Sequence, residues 1–324
     1  MSRPPVTRVG LQIAGYSFPG TMDNQLFDRV VEMAHTAEAS GFDSVWTMDH
    51  VHQIASVGEP DEPILEAYTT LAALAAVTSS VRLGVLVSCN GFRNPALLAK
   101  MVTTIDVISK GRAILGIGAG WHEDECHAYG LDFQTTGERL KALAEAVQVC
   151  RAMFTEQAPR FSGAYHRIDE PLNVPGPINF EGPPILIGGG GERVLIPTVA
   201  RYGDACNFFG APATVRHKID VLEKACATVG RDSGEITRTW LGHAIISESE
   251  AEVQESLERL GTLLGRAPSA VRGFALCGTR DDVRRQVAEY REAGVDGMIV
   301  TVLDPGDLDH LRLVGTTVRE AMDA

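Results

Sequence analysis

Eight short apolar runs, separated by amphipathic stretches, limit what this chain can fold into more than any other feature of its sequence. The runs are VGLQIA (9–14), SVWTMDH (44–50), RLGVLVS (82–88), AILGIG (113–118), ILIGG (185–189), DACNFF (204–209), RTWLGHAII (238–246) and GMIVTV (297–302). Several, GMIVTV among them, are continuously hydrophobic, as parallel strands covered on both faces must be. Helical spacing fills the gaps: in 22–40, Leu26, Val30, Met33, Ala34 and Ala37 fall on one face. Residues 94–109, 136–153, 212–229, 249–264, 279–293 and 307–321 read the same way. Without a break in composition across 324 residues, this alternation predicts one (β/α)8 barrel domain over 1–324, with an open doubly wound sheet as the competing architecture.

A weak internal echo supports regular alternation. In ASGFDSVW (39–46), ARYGDACNFF (200–209) and REAGVDGMIV (291–300), a helix ends on Gly, an Asp follows, and a strand begins. Gly41, Gly203 and Gly294 are expected in the left-handed position that stops a helix. Two connections exceed simple loops, 51–63 after the second strand and 119–184 between the fourth and fifth. The second ends in the Gly/Pro-rich stretch FSGAYHRIDEPLNVPGPINFEGPP. Both insertions follow a strand's C-terminal end, the catalytic side of such barrels, so 51–63 and 155–184 are expected to set the substrate.

Composition excludes several classes. A net charge of −13 argues against binding nucleic acid, which needs clustered Lys and Arg, and against an anionic membrane surface. The start, MSRPPVTRVG, has no apolar leader run, and no run approaches the roughly 18 residues of a membrane span. Six cysteines without a CxxC pair read as reduced thiols of a cytoplasmic protein. An acidic α/β protein of this kind points to an enzyme with a small-molecule substrate.

Five motifs carry chemistry. ILIGGGGERVLIPTVARYG (185–203) runs a buried strand into four glycines and then a helix. Such a turn lets the backbone approach an anion and aims amide N–H groups at it; Gly188, Gly189, Gly190, Gly191 and Glu192 form it, and Arg193 adds a charge. Pro197 implies that the helix starts later than Glu192. GIGAG (116–120) does not complete G-x-G-x-x-G and no Walker lysine follows, so its glycines, Gly118 included, are read as room for a flat ligand. TMDHVH (47–52) sets Asp49, His50 and His52 at a strand end. His50 suits proton transfer near neutral pH. A metal site there needs ligands from other strand ends, where His243 alone offers an imidazole, so no metal is expected. WHEDECH (121–127) lacks HExxH spacing; it reads as an acidic helix start, with Trp121, His122, Glu123 and Asp124 beside the ligand. In VSCNGFRNP (87–95), Ser88, Cys89 and Asn90 line the same face, Cys89 having no visible partner for a nucleophilic role.

In order and spacing these residues resemble the luciferase-like monooxygenase superfamily, above all its coenzyme F420-dependent oxidoreductases. The resemblance spans nearly the whole chain, and RNPALLAKMVTTIDVISKGRAILGIGAGW is its most specific run. It implies a barrel, often homodimeric, that holds a flavin or deazaflavin and transfers a hydride at the deazaflavin C5. FMN is the alternative cofactor, and a flavin- or deazaflavin-binding protein without turnover the alternative function. By position, Asp49 and His50 match the Asp-His pair beside the ring. Ser88 to Asn90 match the strand-3 bulge, where relatives often hold a non-prolyl cis peptide, and Gly188 to Glu192 match the phosphate turn. The F420-dependent glucose-6-phosphate dehydrogenases carry a catalytic Glu where this chain has Trp121, and a Trp where it has Ile54. Both departures imply a less polar substrate. His50 is then the expected proton-handling residue, with His122 or Glu123 as substitutes. A tension accompanies the anionic cofactor: a −13 chain must gather cations locally, with Arg193, Arg93 and Lys100 as candidates.

Overall fold

The computed structural model describes residues 5–324; residues 1–4, on which the expectation about an N-terminal leader partly falls, lie outside them. Eight parallel strands close into a barrel: β1 (Val9–Ile13), β2 (Ser44–Thr47), β3 (Arg82–Val85), β4 (Ala113–Gly118), β5 (Ile185–Gly188), β6 (Ala205–Phe208), β7 (Thr237–Ile246) and β8 (Gly297–Thr301). Each pairs with the next, and β8 returns to β1 through Val9 opposite Met298, which excludes the open sheet. Every strand coincides with one of the eight apolar runs.

The differences from the sequence reading are local. β2 stops at Thr47, so Met48 to His50 are loop. β3 breaks after Val85 and pairs with β4 again only at Ser88 and Cys89. Helix Ala67–Val77 and the antiparallel hairpin of Arg160–Ser162 with Arg167–Asp169 are additional. So is Leu276–Gly278, which extends the sheet beside the end of β7.

Trp46, Ile114, Leu186, Ala205 and Ile299 fill the barrel interior. Trp46 is accommodated by absent side chains: a Cβ on Gly84 would lie 2.5 Å from its indole. This large-against-small pairing gives the interior its packing density.

The internal echo has a mechanical meaning. Asp43, Asp204 and Asp296 accept the backbone N–H groups of Arg8 (3.0 Å), Ile185 (2.8 Å) and Arg238 (2.8 Å), just before or at the start of the neighbouring strands. Three carboxylates thus tie three strand starts at the N-terminal face, where stability rather than catalysis is decided. Gly41 and Gly294 are left-handed as expected, each with φ of +96°. Gly203 is not. Its backbone is extended, and a Cβ there would press on the carbonyl oxygens of Val199 (3.1 Å) and Ala205 (3.3 Å). Glycine at 203 thus serves close approach of the backbone instead of turn handedness.

No helix of the described residues is long and apolar enough to cross a membrane.

Candidate active site

A cavity of about 550 Å³ opens at the C-terminal ends of the barrel strands, within the size range of small-molecule sites. Each strand contributes to its lining, from Ala14 after β1 and His50 after β2 to Leu241–His243 within β7 and Thr301 on β8. The 51–63 loop contributes Ile54, Ser56 and Val57. Contrary to expectation, 155–184 contributes nothing. It is pinned to the outer helices, with Glu145 accepting the N–H groups of Ala164, Tyr165 and His166, and Asn173 donating to Thr103 and Met153. Phe209, Leu264 and Phe274 wall the cavity as well.

His50 sits at the edge of this space. Its Nδ1 lies 2.8 Å from Oε2 of Glu125, a carboxylate whose side chain is 1% exposed. Glu125 also accepts the backbone N–H groups of Val51 and His52. Burial alone works to raise the Glu125 carboxyl, but these hydrogen bonds outweigh it and hold the group below the ordinary glutamate range. The six-residue helix Glu123–Ala128 turns Glu125 and Cys126 inward and leaves Glu123 and Asp124 exposed, away from the cavity lining. His122 caps that helix, its Nδ1 accepting the N–H of Glu125 at 3.2 Å. Trp121, 63% exposed, sets its ring edge-on to His50 and His122 at the mouth. His52 lies outside the cavity lining; it bonds the carbonyl of its neighbour Gln53 and sets its ring edge-on to His122.

Asp49 does different work from His50. It lines the cavity but spends its Oδ2 on the N–H of Cys89 (2.9 Å) and on Arg93 (2.7 Å). Arg93 reaches on to Glu66 at 2.5 Å and lies over the Tyr68 ring, and Tyr68 bonds to Ser88. Burial pushes the Asp49 carboxyl above the ordinary aspartate range, partly offset by Arg93 and the Cys89 N–H. This chain of contacts braces the β3 bulge, and a non-prolyl cis peptide stands within it at Leu86–Val87, directly before Ser88. On the other side Gln12, a polar residue inside the apolar β1, donates to the Leu86 carbonyl and accepts from Thr301. Of Ser88, Cys89 and Asn90, only Cys89 lines the cavity; Asn90 donates its N–H to the Gly118 carbonyl. Burial pushes the Cys89 thiol up to about 12, so it is no thiolate nucleophile near neutral pH.

The glycines of β4 and β5 make room for the bulge, and Gly118 and Gly188 line the cavity as well. A Cβ on Gly118 or Gly188 would strike the Val87 side chain at 2.6 and 2.7 Å, and one on Gly116 the Val85 carbonyl oxygen at 2.0 Å. Farther along, Gly188 and Gly189 line the cavity, while Gly190, Gly191, Glu192 and Arg193 lie outside its lining. The following helix begins at Leu195, later than Glu192 as Pro197 requires, and its cap residue Val194 offers no side-chain acceptor. Lys218 donates to the Gly190 carbonyl (2.8 Å) and to Glu192 (2.5 Å), and His217 bonds Glu192 at 3.0 Å. Of the cations expected to draw an anionic cofactor, Arg93 is committed to Asp49, and Lys100 donates to the Val174 carbonyl. Arg193 is exposed at the turn, and Lys218 joins it there.

Residues 7–268 match the family model of luciferase-like monooxygenases. The chain belongs to this family. It is 33% identical over 216 residues to an F420-dependent glucose-6-phosphate dehydrogenase of Kineococcus radiotolerans, covering 65% of this chain and 62% of that protein. It is 26% identical to the 5,10-methylenetetrahydromethanopterin reductase of Methanolobus tindarius over 90% of this chain and 96% of that one. A solved F420-dependent secondary alcohol dehydrogenase, in complex with an F420-acetone adduct, superposes with a TM-score of 0.82 at 20% identity, over 98% of this chain and 99% of the other. That likeness is one of fold.

Within this luciferase-like barrel, sequence reasoning missed Glu125, Gln12, Arg93 as the partner of Asp49, and the cavity position of His243. Gln12 and His243 carried a signal, each being polar inside an otherwise apolar strand. Glu125 carried none that separated it from Glu123 and Asp124, because three consecutive acids differ only in which way one helical turn points them.

Proposed function

We propose that this chain is a coenzyme F420-dependent oxidoreductase that transfers a hydride between the deazaflavin C5 and a small organic substrate. The observation that carries the reading is the His50–Glu125 pair at the edge of a largely apolar cavity. The residues present suit such a cofactor. The cavity offers apolar walls for a planar ring. At the rim, the open backbone of Gly190 and Gly191, the uncapped start of helix Leu195–Tyr202, Lys218 and Arg193 suit an anionic group. The F420-dependent relatives support the choice of cofactor.

When bound, F420 supplies or accepts the hydride. The protein's part is orientation and proton transfer. Glu125 takes the Nδ1 side of the His50 ring, fixing its orientation and leaving Nε2 to exchange a proton with the substrate oxygen. The Glu125 carboxylate also stabilises the imidazolium while it holds that proton. Asp49 and Arg93 keep the bulge under the ring site in place, and the apolar walls exclude water.

The same reading has the enzyme working in the cytoplasm as a homodimer. Exposed apolar surface at Leu97, Leu172, Val174 and Phe180 is available for a dimer to cover.

Titration of the protein with F420 and, separately, with FMN, followed by cofactor fluorescence, tests the proposal. Saturable binding of F420 is expected. Tight binding of FMN with no response to F420 replaces it with the FMN-dependent monooxygenase reading.

A further inference from the structure

Two histidines of the cavity meet on one acid. His50 donates its Nδ1–H to the Glu125 carboxylate at 2.8 Å, and His122 accepts the backbone N–H of the same residue on its own Nδ1 at 3.2 Å. A backbone N–H only donates, and an ionised carboxylate only accepts. The two contacts therefore fix opposite tautomers. His50 carries its proton on Nδ1 and leaves Nε2 as an acceptor. His122 keeps Nδ1 bare and carries its proton on Nε2, which is a donor.

Both rings line the cavity, with centroids 6.0 Å apart and planes at 78°. Neither Nε2 has a hydrogen-bond partner among the described residues. Exposed Trp121 packs edge-on against both rings, at 5.7 Å from His50 and 4.8 Å from His122. Ser56, on the 51–63 loop, and His243, on β7, line the same space without sharing a partner with His50. Capping alone does not call for an imidazole at 122, since Ser, Thr, Asp and Asn start helices at least as well. What histidine adds is a second nitrogen, and here that nitrogen can only donate.

We propose that His122 is a second catalytic residue, whose Nε2–H holds the substrate atom that exchanges its proton with His50. The proposal rests on the hydride-transfer reading above and adds a residue to it. In the oxidative direction that atom's bond to hydrogen breaks and the proton joins His50 Nε2. The electron pair left behind makes the new bond to the carbon that loses its hydride to the deazaflavin. The His122 N–H faces the charge that develops on the atom, and in the reverse direction faces it until His50 returns the proton.

Tautomers are read directly in long-range proton–nitrogen correlation spectra of the whole protein, isotope-labelled at histidine, with His50→Gln and His122→Asn assigning the signals. Near neutral pH, His122 is expected to carry its proton on Nε2 and His50 on Nδ1. The probes are cyclohexanol, whose hydroxyl donates and accepts at one oxygen, and its methyl ether, which only accepts. Cyclohexanol is expected to move the signals of both rings, and the ether those of His122 alone. His122→Asn keeps a capping oxygen for the Glu125 N–H. It is expected to weaken cyclohexanol binding about two- to tenfold, the worth of one net hydrogen bond, with the His50 tautomer unchanged.

The same tautomer in both rings overturns the inference. So does cyclohexanol that moves neither ring or His50 alone, and so does unaltered binding to His122→Asn. Weakened binding with an altered His50 tautomer assigns His122 to the cap alone and overturns it too. F420 is titrated in parallel. F420 bound by a protein with matching tautomers sinks the role of His122 and leaves the cofactor reading intact. Opposite tautomers in a protein that does not bind F420 sink the hydride-transfer reading, and the catalytic role with it.

Discussion

The Nδ1 of His50 lies 2.8 Å from Oε2 of Glu125, across 75 residues of sequence, and the same carboxylate accepts the N–H of Val51. One buried acid therefore fixes both the ring that faces the cavity and the start of the loop that carries it. A histidine held in this way has one nitrogen engaged and one free, the arrangement needed to pass a single proton.

Replacing His50 with Gln is expected to lower turnover by about 10²–10⁴-fold, the usual worth of a positioned acid–base group, with F420 still bound. Steady-state rates beside cofactor titration check this. Unchanged turnover would remove His50 from the chemistry, and a wild-type protein that binds F420 but turns over no substrate would leave a binding protein.

Glu125→Gln keeps the shape of the side chain and removes its charge. Turnover is expected to fall by at least about tenfold, and at most by the roughly 10⁴-fold known for carboxylates that orient a catalytic histidine.

The same pair of proteins gives a pH prediction. Hydrogen bonds from His50, Val51 and His52 hold the folded-state Glu125 below its ordinary value of 4.5. Its ionisation therefore stabilises the fold above that value, and the contribution is lost as pH falls through the lower folded-state value. The stability difference between wild type and Glu125→Gln is expected to be largest at neutral pH and to shrink on acidification. Urea denaturation at several pH values measures it; a difference that grows toward acid would contradict the assignment.

Arg93→Met leaves the Asp49 carboxylate buried without its partner. A loss of about 3–5 kcal/mol is expected, and Asp49→Asn added to it is expected to recover part. Additive losses in denaturant unfolding would show that the two residues do not act as a pair.

Gly188→Ala places a methyl 2.7 Å from the Val87 side chain. A cost of about 1–3 kcal/mol is expected, relieved in part by Val87→Ala in the same protein. A double variant no more stable than Gly188→Ala would show that the two side chains do not collide.

The barrel was legible because it depends on periodic, local information. Strand runs such as AILGIG must be apolar on both faces between barrel and helices, and helices such as Leu26–Ala39 must be apolar on one. Their alternation leaves few ways to bury all of them. The placement of Asp49, His50, Gly188 and Gly189 around the cavity was legible as well, since they stand at the C-terminal strand ends of the barrel. The 155–184 stretch misled because length and Gly/Pro content mark a loop without saying which way it folds; Glu145, Thr103 and Met153 hold it on the outside.

The sequence by itself thus determined the order of elements and the strand ends that carry polar groups, because each follows from hydrophobic period and chain connectivity; closure of the sheet was settled by the pairing of β8 with β1. Only the tertiary structure decided which of three adjacent acids meets His50, that Arg93 serves Asp49, that the glycines of β4 and β5 make room for Val87, and that no lysine or arginine of the described residues lines the cavity. These depend on the direction in which individual side chains point across the barrel. A rotation of one helical turn changes that direction completely while leaving the apolar pattern almost untouched.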